Sequence, residues 1–197
     1  MPAIIPPYLK QGDPIGMLCP SGYMPFEKAQ KCIDTLKQWG FKVQVGKTLV
    51  NQFNYFSGTD EERLNELQQM LNDENIRAIF CARGGYGLSR IIDDINFEKF
   101  IQNPKWIIGY SDITLLHAHI YSNFNIASLH APMAAAFNEM EESEEYIQSI
   151  HKNLTGIHRS YTIASNSLNR QGSCQGDLVG GKYDLAVSRE QVTLEEK

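Results

Sequence analysis

The chain has 197 residues, a length that suits one large domain or one domain and part of a second. Apolar residues make up 42% and charged residues 21%, which is enough to bury a core and excludes a disordered chain. A net charge of -5 leaves no basic stripe for a nucleic acid, and the longest weakly polar run, Ile126 to Phe137, is too short to cross a membrane. The opening MPAIIPPYLK holds three prolines and no secretory pattern, so a cytoplasmic protein is expected.

Taken in chain order, short apolar runs alternate with helical patterns, as in an α/β domain with a mainly parallel sheet. Ile15 to Cys19 is a buried strand stopped by Pro20-Ser-Gly22. Phe26 to Trp39 places Ala29, Cys32, Ile33, Leu36 and Trp39 at helical spacing, and Gly40 closes that helix. Phe41 to Val45 alternates apolar and polar and predicts a less buried strand. Thr59-Asp-Glu-Glu62 has capping-box spacing and opens a helix through Leu64, Leu67 and Leu71.

Ile76 to Ala82 is the next strand, ending in Arg83-Gly-Gly-Tyr-Gly87, and Leu88, Ile91 and Ile92 predict a helix after it. Pro104 breaks the chain before a strand at Trp106 to Ile108, which ends at Gly109-Tyr-Ser-Asp112 and leads into a helix over Ile113 to Tyr121. Ile126 to Leu129 predicts a further parallel strand before His130-Ala-Pro132, and Glu139 to Glu145 the solvated start of a helix. Leu154 to Gly176 is rich in Ser, Asn, Gly and Thr and reads as a linker, after which Gly176 to Gly181 starts a new strand. Cys19, Cys32, Cys81 and Cys174 form no C-x-x-C pair and read as structural, and the sequon at Asn153 is incidental.

In a parallel sheet, ligands bind beyond the carboxyl ends of the strands, and two corners there carry unusual chemistry. At Arg83 to Gly87, adjacent glycines let backbone N–H groups approach a ligand. The dinucleotide fingerprint fails because position 90 is Arg90, and no Gly-Lys-Ser/Thr follows. At Gly109 to Thr114, Ser111 sits on a strand-to-helix turn, where spacing fits a helix cap as well as a nucleophile elbow. Of the histidines, His117 and His119 are two apart on one helix and cannot chelate together. His130 lies near the same sheet edge and is the local candidate for a base.

The segments Pro7 to Gly16, Pro20-Ser-Gly22, Ala82 to Gly87, Gly109 to Thr114, Leu129 to Met133 and Gly176 to Gly181 together resemble the LD-carboxypeptidase family of serine peptidases. These are the muramoyltetrapeptide carboxypeptidases, with relatives that cleave microcin-type peptide-nucleotides. The resemblance implies a flavodoxin-like α/β domain at 1–152 carrying the nucleophile, a linker at 153–175, and at 176–197 the truncated start of a β-rich C-terminal domain. It implies release of terminal D-alanine from murein tetrapeptide in cell-wall recycling, with Ser111 as nucleophile and the N–H groups of Gly85 and Asp112 as oxyanion hole. Arg83 and Tyr86, beside that turn, are candidates for holding the substrate.

No metal or cofactor is implied. The expected partner is a murein peptide ending in D-alanine, with no nucleic acid and no membrane, and a homodimer is left open. The family's glutamate and histidine lie beyond the Gly-Gly motif. Here only sixteen residues follow Gly181, with Glu190, Glu195 and Glu196 but no histidine, so impaired activity is expected. The competing reading is a non-enzymatic α/β domain that binds peptidoglycan peptides.

Overall fold

Five strands, β1 (Pro14–Leu18), β2 (Lys42–Val45), β3 (Ala78–Cys81), β4 (Trp106–Gly109) and β5 (Leu129–His130), pair in parallel in the order β2-β1-β3-β4-β5. That is the flavodoxin-like strand order, and the fold is α/β as expected. The computed structural model describes residues 3–157 together with Gly172, Gly176 and Val179 to Gly181. Most of the linker expected at 153–175, residues 177–178 of the strand expected at 176–181, the tail at 182–197, His158 and Cys174 lie outside the described residues.

The central strands are apolar throughout because both faces are covered. Ile15 and Met17 of β1, Ala78 and Phe80 of β3, and Trp106 and Ile108 of β4 join one core. That core is closed by Leu36 and Ile33 of helix α1 (Glu27–Gln38) and by Ile147, Ile150 and Leu154 of helix α5 (Met140–Leu154). The alternate residues Leu18, Ile79, Cys81 and Ile107 join the opposite core with Leu67 and Leu71 of α2 (Asp60–Asn72), Phe100 of α3 (Glu98–Gln102) and Leu116 and Ile120 of α4 (Thr114–Phe124). Period-two alternation across three packed layers thus explains the unbroken apolar runs. β2 is the sheet's edge, and Lys42, Gln44 and Val45 are exposed there.

The expected capping box holds: the Thr59 hydroxyl accepts from the Glu62 N–H at 3.2 Å, and the Glu62 carboxylate accepts from the Thr59 N–H at 2.8 Å. Two expected elements differ. The helix expected after Gly87 is instead a pair of 3₁₀ turns, Leu88–Arg90 and Ile92–Asp94. Tight three-residue hydrogen bonds, such as Ile91 N–H to Leu88 C=O at 3.1 Å, bury Leu88, Ile91 and Ile92 together.

The strand expected over Ile126 to Leu129 is shifted to Leu129–His130. Ile126 pairs instead with Ile4 of the N-terminal strap, whose N–H donates to Asn125 C=O at 2.7 Å. Among the described residues, no helix is long and apolar enough to cross a membrane.

Candidate functional site

β4 ends at Gly109, Tyr110 is still extended, and Ser111 takes the left-handed conformation at φ +64° as the first residue of a 3₁₀ turn (Ser111–Ile113) that leads into α4. A left-handed residue that carries a β-carbon is strained, by roughly 1–2 kcal/mol. The residues at the two helical starts, Tyr110 and Ile113, form no side-chain cap. The strain turns Ser111 out of the strand line at the carboxyl edge of the sheet, as a nucleophile elbow does. Ser111 is half-buried there.

The glycine loop after β3 packs directly on this corner. A β-carbon placed on Gly84 would lie 3.1 Å from the Ser111 Cβ and 3.3 Å from the Asp112 nitrogen. On Gly85, at φ +105°, it would lie 2.7 Å from the Tyr55 Oη. A side chain at Gly84 would push the Ser111 corner by a few tenths of an ångström, and the positive φ of Gly85 favours glycine, so the pair that reads as a tight turn is also closely packed. The two loops carrying Gly85 and Asp112 therefore stand side by side at one sheet edge.

Asp112 is 1% exposed, and its Oδ2 accepts from the Ser21 hydroxyl at 2.6 Å and from the Leu88 N–H at 2.9 Å. Its Oδ1 has no partner among the described residues. The Gly22 N–H donates to Gly84 C=O at 3.0 Å, tying the loop after β1 to the same place.

The family described as the LD-carboxypeptidase N-terminal domain matches residues 15–131, the stretch that holds this sheet edge. The chain belongs to the LD-carboxypeptidase family. It is 33% identical over 186 residues to a probable murein peptide carboxypeptidase of Bacillus subtilis, covering 93% of this chain and 58% of that protein. Among solved structures, it matches the microcin self-immunity protein MccF in complex with aspartyl sulfamoyl adenosine at TM-score 0.73 and 28% identity, over 82% of this chain and 50% of that one. It matches a muramoyltetrapeptide carboxypeptidase from Oxalobacter formigenes at TM-score 0.56 and 26% identity, over 61% of this chain and 40% of that one. The chain thus spans well under two thirds of the length of these relatives.

Around the corner of this LD-carboxypeptidase domain, the expected residues divide by exposure. Arg83 and Tyr86 are both exposed on the glycine loop. Among the described residues, no carboxylate forms an ion pair with Arg83. Cys19, on the same edge, is no competing nucleophile, because burial, reinforced by Glu66, pushes its thiol up to about 12. His130 is exposed opposite Gly109 in the sheet register, its ring 6.1 Å from that of Tyr110. No hydrogen bond joins it to Ser111 among the described residues. His119 stacks on Phe97, and His151 lies against Trp39 in a tilted pair.

Several residues at the site escape sequence reasoning. His117 is buried, and its Nε2–H donates to Gly109 C=O at 2.9 Å, since a carbonyl can only accept. Burial holds its pKa down to about 4 against the upward pull of that bond, so the ring is neutral at pH 7. Arg63 is fully buried in α2 and donates to Pro20 C=O at 2.6 Å and Gly87 C=O at 3.0 Å while pairing with Asp60. It ties the loops after β1 and β3 together. Its one sequence signal is a charge on the stripe that also carries Leu67, Met70 and Leu71. Ser21 lies in the Pro20-Ser-Gly22 stretch, which reads only as the stop of a strand.

Proposed function

We propose that the chain is the nucleophile-bearing part of a serine LD-carboxypeptidase that releases terminal D-alanine from murein tetrapeptide in cytoplasmic cell-wall recycling. Residues 1–152 form that part, 153–175 the link, and 176–197 the start of the second domain. The Ser111 hydroxyl attacks the carbonyl before D-alanine, and the N–H groups of Gly85 and Asp112 face the oxyanion that develops. Arg83 offers its unpaired guanidinium to the peptide's terminal carboxylate, and Tyr86 borders the same loop. The family resemblance puts the base, a histidine, and its orienting glutamate beyond Gly181. Among the described residues, His130 is the exposed histidine that borders the corner.

The observation that carries this reading is the left-handed Ser111 with the Gly84 backbone packed against it. The names of the Bacillus subtilis and Oxalobacter formigenes relatives support the substrate class. The test is D-alanine release by the purified chain, by Ser111→Ala and by His130→Ala. Release is expected at a small fraction of a longer relative's rate, and Ser111→Ala should abolish it. A Ser111→Ala variant that kept more than a tenth of the parent rate would overturn the reading. Loss in His130→Ala would identify that ring as the base.

A second reading, a peptidase of peptide-nucleotides, draws on the likeness to MccF bound to aspartyl sulfamoyl adenosine and on the exposed rings of Tyr55, Tyr86 and Tyr110 around the corner. Such rings suit stacking on a nucleobase. Assaying an aminoacyl sulfamoyl adenosine beside the tetrapeptide decides between the substrates.

A further inference from the structure

We propose that the Asp112 carboxylate and the Ser21 hydroxyl form a positioning pair that sets the two oxyanion donors in place against Ser111; this rests on the reading of the corner as a serine peptidase site. The donors belong to different loops. Gly85 follows β3 and Asp112 follows β4, and the ladder between those strands ends at the pair Phe80 and Ile108. The sheet register alone therefore leaves the gap between the loops unset. An oxyanion hole works only when its donors are held to a few tenths of an ångström.

A closed ring of hydrogen bonds sets that gap. Asp112 Oδ2 accepts from Leu88 N–H at 2.9 Å, three residues past Gly85, and from Ser21 Oγ–H at 2.6 Å. The next residue, Gly22, donates its N–H to Gly84 C=O at 3.0 Å, one residue before Gly85. The glycine loop is thus gripped on both sides of Gly85, and both grips lead to Asp112. Ser21 is fully buried and Asp112 nearly so, which places the pair behind the loops, out of reach of a peptide at Ser111. The shielded setting strengthens both bonds to the carboxylate.

The expense is visible as well. Asp112 forms no ion pair among the described residues, and its Oδ1 is buried without a partner there. A buried carboxylate of this kind lowers stability relative to an apolar residue. Packing alone is a poor reason to keep it.

The experiment uses two ligands: the tetrapeptide ending in D-alanine, and its phosphinate analogue, in which a tetrahedral anion replaces the scissile amide. Binding of each to the purified chain is measured by calorimetry, so turnover is not required. The parent should prefer the analogue. Ser21→Ala should weaken the analogue by about tenfold, less than the loss of a whole donor, and leave the tetrapeptide within about twofold. Asp112→Ala, which removes the acceptor of both bonds, should move the same way. The double variant should be no worse than the weaker single one, because both break one ring.

A purely structural role would lower the thermal midpoint and weaken both ligands in proportion. The proposal falls if the single variants bind the analogue like the parent, if they lose both ligands equally, or if their losses add. If Asp112→Ala does not fold, Ser21→Ala decides alone. A parent with no preference for the analogue would sink the peptidase reading and this proposal together, whereas a preference that survives in the variants sinks only this one.

Discussion

Ser111→Gly and Ser111→Ala both delete the hydroxyl, so comparing them separates the backbone strain of the corner from its chemistry. At φ +64°, alanine keeps a β-carbon against the following carbonyl, at a cost of roughly 1–2 kcal/mol that glycine does not incur. Glycine loses about 0.4–1 kcal/mol of this advantage through the greater freedom of the unfolded chain. The difference leaves Ser111→Gly more stable than Ser111→Ala by about 0.5–1 kcal/mol. For a chain of 197 residues that is a rise in Tm of roughly 1–4 °C.

Urea and thermal unfolding at pH 7 measure it, with D-alanine release as a parallel readout that both variants should lack. Ser111→Gly should also exceed the parent in stability, since serine bears the same strain as alanine. An alanine variant as stable as the glycine variant would refute the argument that the corner is held against its own backbone preference, and with it the main physical ground for reading Ser111 as an elbow.

Gly84→Ala should place a β-carbon 3.1 Å from the Ser111 Cβ and 3.3 Å from the Asp112 nitrogen, costing roughly 1–3 kcal/mol and lowering release well below what the lost stability explains. Kinetics taken far below the variant's Tm check it, and an unchanged rate would count against the packing described. Arg63→Met should cost about 3–5 kcal/mol in urea unfolding, because it leaves the Pro20 and Gly87 carbonyls and the Asp60 carboxylate without their buried partner. A loss under about 1 kcal/mol would show that the cation is replaceable by packing.

His117 binds a proton at about 4 when folded and near 6.5 when unfolded, so the unfolded chain takes up the proton first as pH falls. Its contribution, on the order of 3 kcal/mol, is present above pH 6.5 and is lost toward pH 4. His117→Gln should flatten that part of the stability profile, as pH-dependent urea midpoints will show.

What was legible in the sequence is what a residue's own backbone requires. The runs of β1, β3 and β4, the capping box at Thr59 and the glycine corners all declare themselves locally, and they place the sheet edge and both loops. What was not legible depends on partners brought from elsewhere in the chain. Ile126 looks like a strand residue but forms only an isolated bridge, to Ile4, and no local pattern names a strap at the other end of the chain. The segment after Gly87 has helical spacing, but the N–H of Leu88 is taken by a carboxylate 24 residues downstream, and the chain tightens into 3₁₀ turns.

Ser21 and Arg63 are the sharper cases. The one sits in a Pro-Ser-Gly stop and the other in a well-capped helix, and each reads as ordinary until the loops converge on it. Ser111 lies between these extremes. Its neighbouring Gly109 permits a sharp corner, but a serine carries no local sign of a left-handed backbone. That conformation goes with the packing of Gly84 on one side and the entry into α4 on the other, so the corner is legible from its motif while the strain in it belongs to the fold.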